Sequence, residues 1–218
     1  MDENILLSKI VANPGEGTWS QAYSTLNLYI VLSVKSEKPE VGIVTEGKEL
    51  FEKIQREYFS LDQKNLKNIK EAVDQALATL EDKSRISVIL ATIINNVLYL
   101  VITSQGKVIL KRGGKVGTVA EGEVGQTFAF SGEISPNDII ILETGDFAEK
   151  IPVSKLAELL DSLEVAEISE NLAPLIHENP LGTEAAIILQ YKTLVSQEEP
   201  ALAVPTEAVE KMPEEKKT

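Results

Sequence analysis

Residues 135–151 read SPNDIIILETGDFAEKI. Four turn formers, Ser135, Pro136, Asn137 and Asp138, stop whatever precedes them. Ile139, Ile140, Ile141 and Leu142 follow without alternation, the pattern of a short strand buried on both faces. The next residues, Glu143-Thr144-Gly145-Asp146, predict a polar loop at the strand's end, followed by a helical turn. A strand that carries a Thr-Gly-Asp loop to the edge of a core builds sites. Asp146 reads first as an N-cap, because an aspartate ahead of a helical turn accepts a backbone N–H. It reads second as a metal ligand.

Upstream, residues 5–12 predict an edge strand ending at Asn13-Pro14-Gly15. Residues 18–34 read as one strand whose buried end is Tyr29–Leu32, followed by a polar break over 35–40. Leu50, Phe51, Ile54 and Tyr58 share one face of a helix over 46–59. Leu66, Ile69, Val73, Ala76, Leu77 and Leu80 form the stripe of a second helix over 65–80. Two apolar strands over 86–94 and 97–103 flank Asn95-Asn96, a hairpin signal because asparagine tolerates positive φ. A strand over 107–111, an exposed loop over 116–127 and a short strand over 128–130 come next. Beyond the quoted stretch, helices are expected over 153–163 and, broken at Pro174, over 169–179. A last strand covers 185–191.

The chain has 218 residues, a net charge of −13, no cysteine and one histidine. The length suits one large domain. Its acidity argues against nucleic acid or an anionic membrane as partner. The lack of cysteine excludes disulfides, thiolate zinc sites and cysteine nucleophiles, and the single His177 leaves little for histidine-based chemistry. No apolar run approaches the ~18 residues of a membrane span, and the start, MDENILLSKIVANPGEG, lacks the basic region of a signal peptide. A cytoplasmic location is the expectation. Two units are expected: a domain over 1–195, and an acidic, Pro-rich tail over 196–218 that has too few large apolar residues to offset its ordering entropy and is expected to be disordered.

The quoted stretch resembles a segment of the metal-dependent type-2C (PPM) protein phosphatases, in which a Gly-Asp turn leads into an apolar strand ending in Thr/Ser-Asp-Gly and a helical turn with an acid. Asn137-Asp138 matches the turn, Thr144 the hydroxyl and Glu149 the acid. The segment 98–116, LYLVITSQGKVILKRGGKV, is similar to a hairpin of that family at Leu98, Tyr99, Leu110, Arg112, Gly114 and Lys115, with Lys107 for its arginine. Residues 87–94 and 183–191 resemble two further strands, so the resemblance covers roughly 15–192. It implies an α/β (α+β) domain: a sandwich of two mainly antiparallel β-sheets flanked by helices.

The resemblance also implies a site. Family members hold two Mg²⁺ or Mn²⁺ ions with aspartates at strand ends, because hard cations take oxygen ligands and clustered carboxylates offset their charge. Here those positions fall on Ser33, Gly145 and Thr183. The family's early phosphate-binding arginine and Glu-Asp pair have no equivalent in 18–23. Asp146 and Glu184 each lie one residue from a ligand position and are the displaced candidates for metal. Otherwise Glu184 reads as a solvated residue opening a strand, and Ser33 as a strand-end hydroxyl bonded to backbone. The implied function is a pseudophosphatase that binds a protein partner or regulates signalling and needs no cofactor. The alternative is an active phosphoserine/phosphothreonine phosphatase using Mn²⁺ or Mg²⁺ through displaced ligands.

Two further features carry weaker readings. Residues 42–49, GIVTEGKE, come close to the phosphate loop Gly-x4-Gly-Lys-Ser/Thr, with Glu49 in place of the Mg²⁺-holding hydroxyl. They read either as a nucleotide-binding module or as a turn before a helix. Lys107, Lys111, Arg112 and Lys115 read as a solvated basic hairpin face.

Overall fold

The computed structural model describes residues 5–36 and 42–192. Among the described residues, ten strands and five α-helices stack in four layers. One sheet has the order β1 (Ile5–Val11), β10 (Ala185–Tyr191), β9 (Ile139–Thr144), β6 (Gly106–Arg112), β7 (Lys115–Glu121). The other runs β2 (Thr18–Thr25), β3 (Leu28–Lys35), β4 (Ile86–Ile94), β5 (Val97–Ser104), β8 (Thr127–Glu133). Every neighbouring pair is antiparallel. Helices α1 (Ile43–Phe59) and α2 (Leu66–Ala76) cover the outer face of the second sheet. Helices α3 (Gly145–Lys150), α4 (Val153–Ser162) and α5 (Val165–His177) cover that of the first.

This layering explains the unbroken apolar runs. Strand side chains alternate between faces, and here both faces are covered. Ile139 and Ile141 of β9 meet the helices, while Ile140 and Leu142 meet the opposite sheet. Tyr29 and Val31 of β3 face the inter-sheet core, whereas Ile30 and Leu32 face α1 and α2. Burying each such side chain contributes about 1.5–3 kcal/mol.

Several sequence expectations need correction. Residues 18–34 form not one strand but the hairpin β2–β3, turning at Leu26-Asn27 with Leu26 at φ 45°. The stretch expected to be an exposed loop over 116–127 contains β7, an edge strand. It is half wet, with only Ala120 buried, and Val119 is extruded at a bulge opposite Val108 and Ile109. Helix α5 starts at Val165 and runs through Pro174, which is exposed.

The phosphate-loop reading fails on geometry, because Gly42 is the N-cap of α1 and residues 43–49 are already helical. Gly47 lies against the indole of Trp19, where an added Cβ would stand 2.2 Å from the ring. The glycine therefore seats α1 on Trp19, and no loop is left to cradle a phosphate. The basic hairpin residues are mostly paired rather than simply solvated. Lys107 meets Glu121 at 3.2 Å, Lys111 meets Asp161 at 2.8 Å, and Arg112 grips the buried Asp138 at 2.9 and 2.6 Å. The tail over 196–218 lies outside the described residues. Among the described residues no helix is long and apolar enough to cross a membrane.

Candidate functional site

The ends of β3, β4, β5, β9 and the lead into β10 meet at one end of the sandwich. In the second sheet, Ser20, Ser33, Ser87 and Ser104 are successive cross-strand partners. Directly paired residues share a face, and the parity of this row with Ala22, Val31, Ile89 and Ile102 points it toward the other sheet. All four serines are buried. Ser20 Oγ donates to Glu184 O at 3.3 Å, and Ser87 Oγ donates to Gln105 O. Opposite them, Thr144 Oγ1 accepts from Ala185 N at 3.0 Å and donates to Thr183 O at 2.9 Å.

Asp146 lies in the first turn of α3, but its carboxylate does not cap the helix, contrary to its first reading. Thr144 occupies the N-cap position without a side-chain cap bond. The Asp146 carboxylate turns toward the sandwich end. Lys35 Nζ lies 2.8 Å from each of its oxygens, and Thr183 Oγ1 donates to Oδ2 at 2.5 Å. Lys35 stands two residues beyond Ser33 on β3, so both side chains leave the strand on the same side.

Glu184 is fully buried rather than solvated. Its Oε1 accepts from Leu181 N at 2.9 Å and from Lys150 Nζ at 3.1 Å. Its Oε2 accepts from Gly182 N at 2.9 Å and Thr183 N at 3.2 Å. Burial alone would raise this carboxyl, but the backbone donors and Lys150 outweigh it and hold the group below its ordinary value. Lys150 also donates to the carbonyls of Ile176, Glu178 and Asn179, joining the end of α5 to the turn before β10. Glu184 therefore organises that turn with all four acceptor positions engaged.

Gly145 is hemmed in by the β5–β6 turn. A Cβ built on it would stand 2.7 Å from the Cβ of Gln105, closer than real side chains pack. Ser33 brings a hydroxyl, Gly145 nothing, and Thr183 a hydroxyl already bonded to Asp146. Among the described residues no three histidine, cysteine, aspartate or glutamate side chains are grouped to hold a metal ion.

Solved structures with this architecture are numerous. The serine/threonine phosphatase PstP/Ppp of Mycobacterium tuberculosis superposes with a TM-score of 0.67 at 12% identity, over 87% of this chain and 100% of the other.

The chain carries the type-2C phosphatase fold.

The catalytic domain of PstP, solved in complex with two manganese ions, gives a TM-score of 0.68 at 11% identity over 87% and 99% of the two chains. PppA of Pseudomonas aeruginosa gives 0.65 at 9% identity over 88% and 99%. At the level of sequence no family model matches the chain and no curated protein does. The two-sheet sandwich and element order expected from the resemblance are those of the type-2C fold.

The residues present do not fit the pair of divalent cations that this fold implies. Such a pair needs several carboxylate oxygens to offset its charge. Of the positions that the resemblance implies, Ser33 offers a neutral hydroxyl, Gly145 has no side chain and no room for one, and Thr183 is committed to Asp146. Of the two nearby carboxylates, one is held by a lysine and the other by three backbone amides and a second lysine. Sequence reasoning missed both lysines. Lys35 carried no signal except its position two residues beyond the degenerate Ser33.

Proposed function

We propose that this chain is a type-2C phosphatase-like domain impaired in catalysis, which acts in the cytoplasm by binding a protein partner rather than by hydrolysing phosphate esters. The observation that carries the reading is the contact between Gln105 and the space over Gly145. A metal-ligand carboxylate there would require the β5–β6 turn to move. The neutral hydroxyls at Ser33 and Thr183 support it, as does the lack in 18–23 of an arginine to bind a phosphoryl group and of the acids that follow it in the family. Without a divalent cation this sandwich end lacks the Lewis acid that brings the pKa of a bound water molecule toward neutrality. A regulatory role is in keeping with one structural neighbour, PppA, described as a key regulatory component of T6SS.

The second reading keeps the activity, with Asp146 and Glu184 as displaced ligands for Mn²⁺ or Mg²⁺. Asp146 supports it by turning its carboxylate into the site, whereas Glu184 has no oxygen to spare. Turnover of a phosphoserine or phosphothreonine peptide by the full chain, with and without millimolar Mn²⁺, separates the two. No hydrolysis above buffer is expected. Mn²⁺-dependent turnover abolished by Asp146→Asn would replace the first reading with the second.

A further inference from the structure

We infer that Lys35 is the resident cation of this site: a tethered ammonium stands where the fold implies metal ions, and it keeps divalent cations out. The inference deepens the impaired reading and rests on it.

The argument begins with the direction of charge along β3. In the resemblance, the end of this strand supplies a negative ligand, at the position of Ser33. Here the carboxylate is gone, and the next side chain on the same side of the strand is a positive one. The change amounts to a reversal of sign at one strand end, beyond the loss of a ligand. Position matters as well as sign, because the ammonium sits 2.8 Å from both oxygens of Asp146, the carboxylate closest to the degenerate second position. With Thr183 Oγ1 on Oδ2, the carboxylate of Asp146 is shared between one cation and one hydroxyl.

The charge balance favours this arrangement over metal. Asp146 is buried, and a buried carboxylate needs a partner. One ammonium neutralises it completely. Two divalent ions would bring four positive charges to a site where the neighbouring carboxylate, Glu184, is already matched by Lys150. An ammonium also lies close enough to repel any cation approaching Asp146. Lys35 is anchored for this role. Its carbonyl accepts from Arg85 Nε at 2.9 Å, and Arg85 in turn meets Glu46 of α1 at 3.3 Å. The strand end is therefore tied on its other side, while the lysine side chain, about half exposed, reaches across to α3.

The test compares Mn²⁺ binding by three full-length proteins using isothermal titration: the parent, Ser33→Asp, and Ser33→Asp/Lys35→Met. Restoring the carboxylate alone should give little or no binding, because the new aspartate meets the same ammonium. Removing the ammonium as well should tighten Mn²⁺ by about tenfold or more over Ser33→Asp, and adding Asp146→Asn should abolish the gain. Equal affinity in Ser33→Asp and the double variant would overturn the inference, as would specific Mn²⁺ binding by the parent. If the double variant does not fold, amide resonances of the parent and of Lys35→Met titrated with Mn²⁺ decide the matter. Broadening confined to 144–146 and 183 in Lys35→Met but not in the parent upholds the inference, and equal spectra from the two overturn it. Mn²⁺-dependent turnover of a phosphopeptide by the parent would sink the impaired reading and this inference together. An inert parent with equal Mn²⁺ affinities in the two variants would sink only the inference.

Discussion

Gln105, in the β5–β6 turn, places its Cβ 2.7 Å from where a side chain on Gly145 would begin. The two residues lie just outside the ends of adjacent strands of the first sheet, since Gly106 of β6 pairs with Thr144 of β9. Position 145 is consequently glycine for want of space and not for backbone conformation. Gly145→Ala should destabilise the fold by about 1–3 kcal/mol, the usual cost of forcing a group into a packed site, despite alanine's better helix propensity. Gln105→Gly in the same chain should recover most of the loss. A double-mutant cycle on urea midpoints measures the coupling, and additive effects would show that the turn does not constrain this position.

Glu143 gives the stability a pH dependence. It is buried beside Lys107, its partner across β6, and its Oε2 has no hydrogen-bond partner. Burial pushes the carboxyl up to about 8; Lys107 offsets part of this and Glu121 adds to it. The folded chain thus keeps a proton that the unfolded chain releases near the ordinary value of 4.5. The contribution is fully present below that value and is lost as pH rises through about 8. Glu143→Gln should remove this fall, leaving the variant more stable than the parent at alkaline pH by an amount on the order of a few kcal/mol. Chemical denaturation across that range tests it, and parallel pH curves for parent and variant would refute it.

Glu184 predicts the opposite limb. Its carboxyl is held below the ordinary value, so its contribution is present above the unfolded pKa and is lost as pH falls through the folded one. Glu184→Gln would aim an amide N–H₂ at backbone donors and leave Lys150 without its counter-charge. The cost should be about 3–5 kcal/mol, as for breaking one partner of a buried pair. Thermal melting of Glu184→Gln beside Lys150→Met checks this, and a shift of only a degree or two would mean the turn holds without the carboxylate.

The tail over 196–218 rests on composition alone. Its Glu, Lys and Pro content with few large apolar residues predicts no contribution to stability. A chain ending at Val195 should melt at the parent's temperature, and a drop of several degrees would show that the tail docks on the domain.

The sequence made β9 and β10 legible because both are sandwiched, and unbroken isoleucine runs mark that environment. Helices α1 and α2 were legible from their apolar stripes, although α1 begins at Ile43, earlier than its acidic first turn suggested. The β2–β3 turn was hidden because Leu26-Asn27 contains neither glycine nor proline. Strand β7 was hidden because an edge strand with both faces half wet has no alternation to read. At the site, the resemblance implied positions without carboxylates, but the lysines that stand beside them could not be read. Lys35 and Asp146 are 111 residues apart, and Glu184 and Lys150 are 34 apart. No local pattern announces a pairing at that distance.

The hydroxyl of Thr144 has a dynamic consequence. The amides of Gly182 and Thr183 are bound by Glu184, that of Ala185 by Thr144 Oγ1, and Ala12 N closes on Glu184 O at 2.8 Å. Here those amides have no solvent-facing partner to trade for, so in heavy water they should exchange with the slowest class of the β-sheet core. The mouth of the sandwich would then open only when the whole domain does.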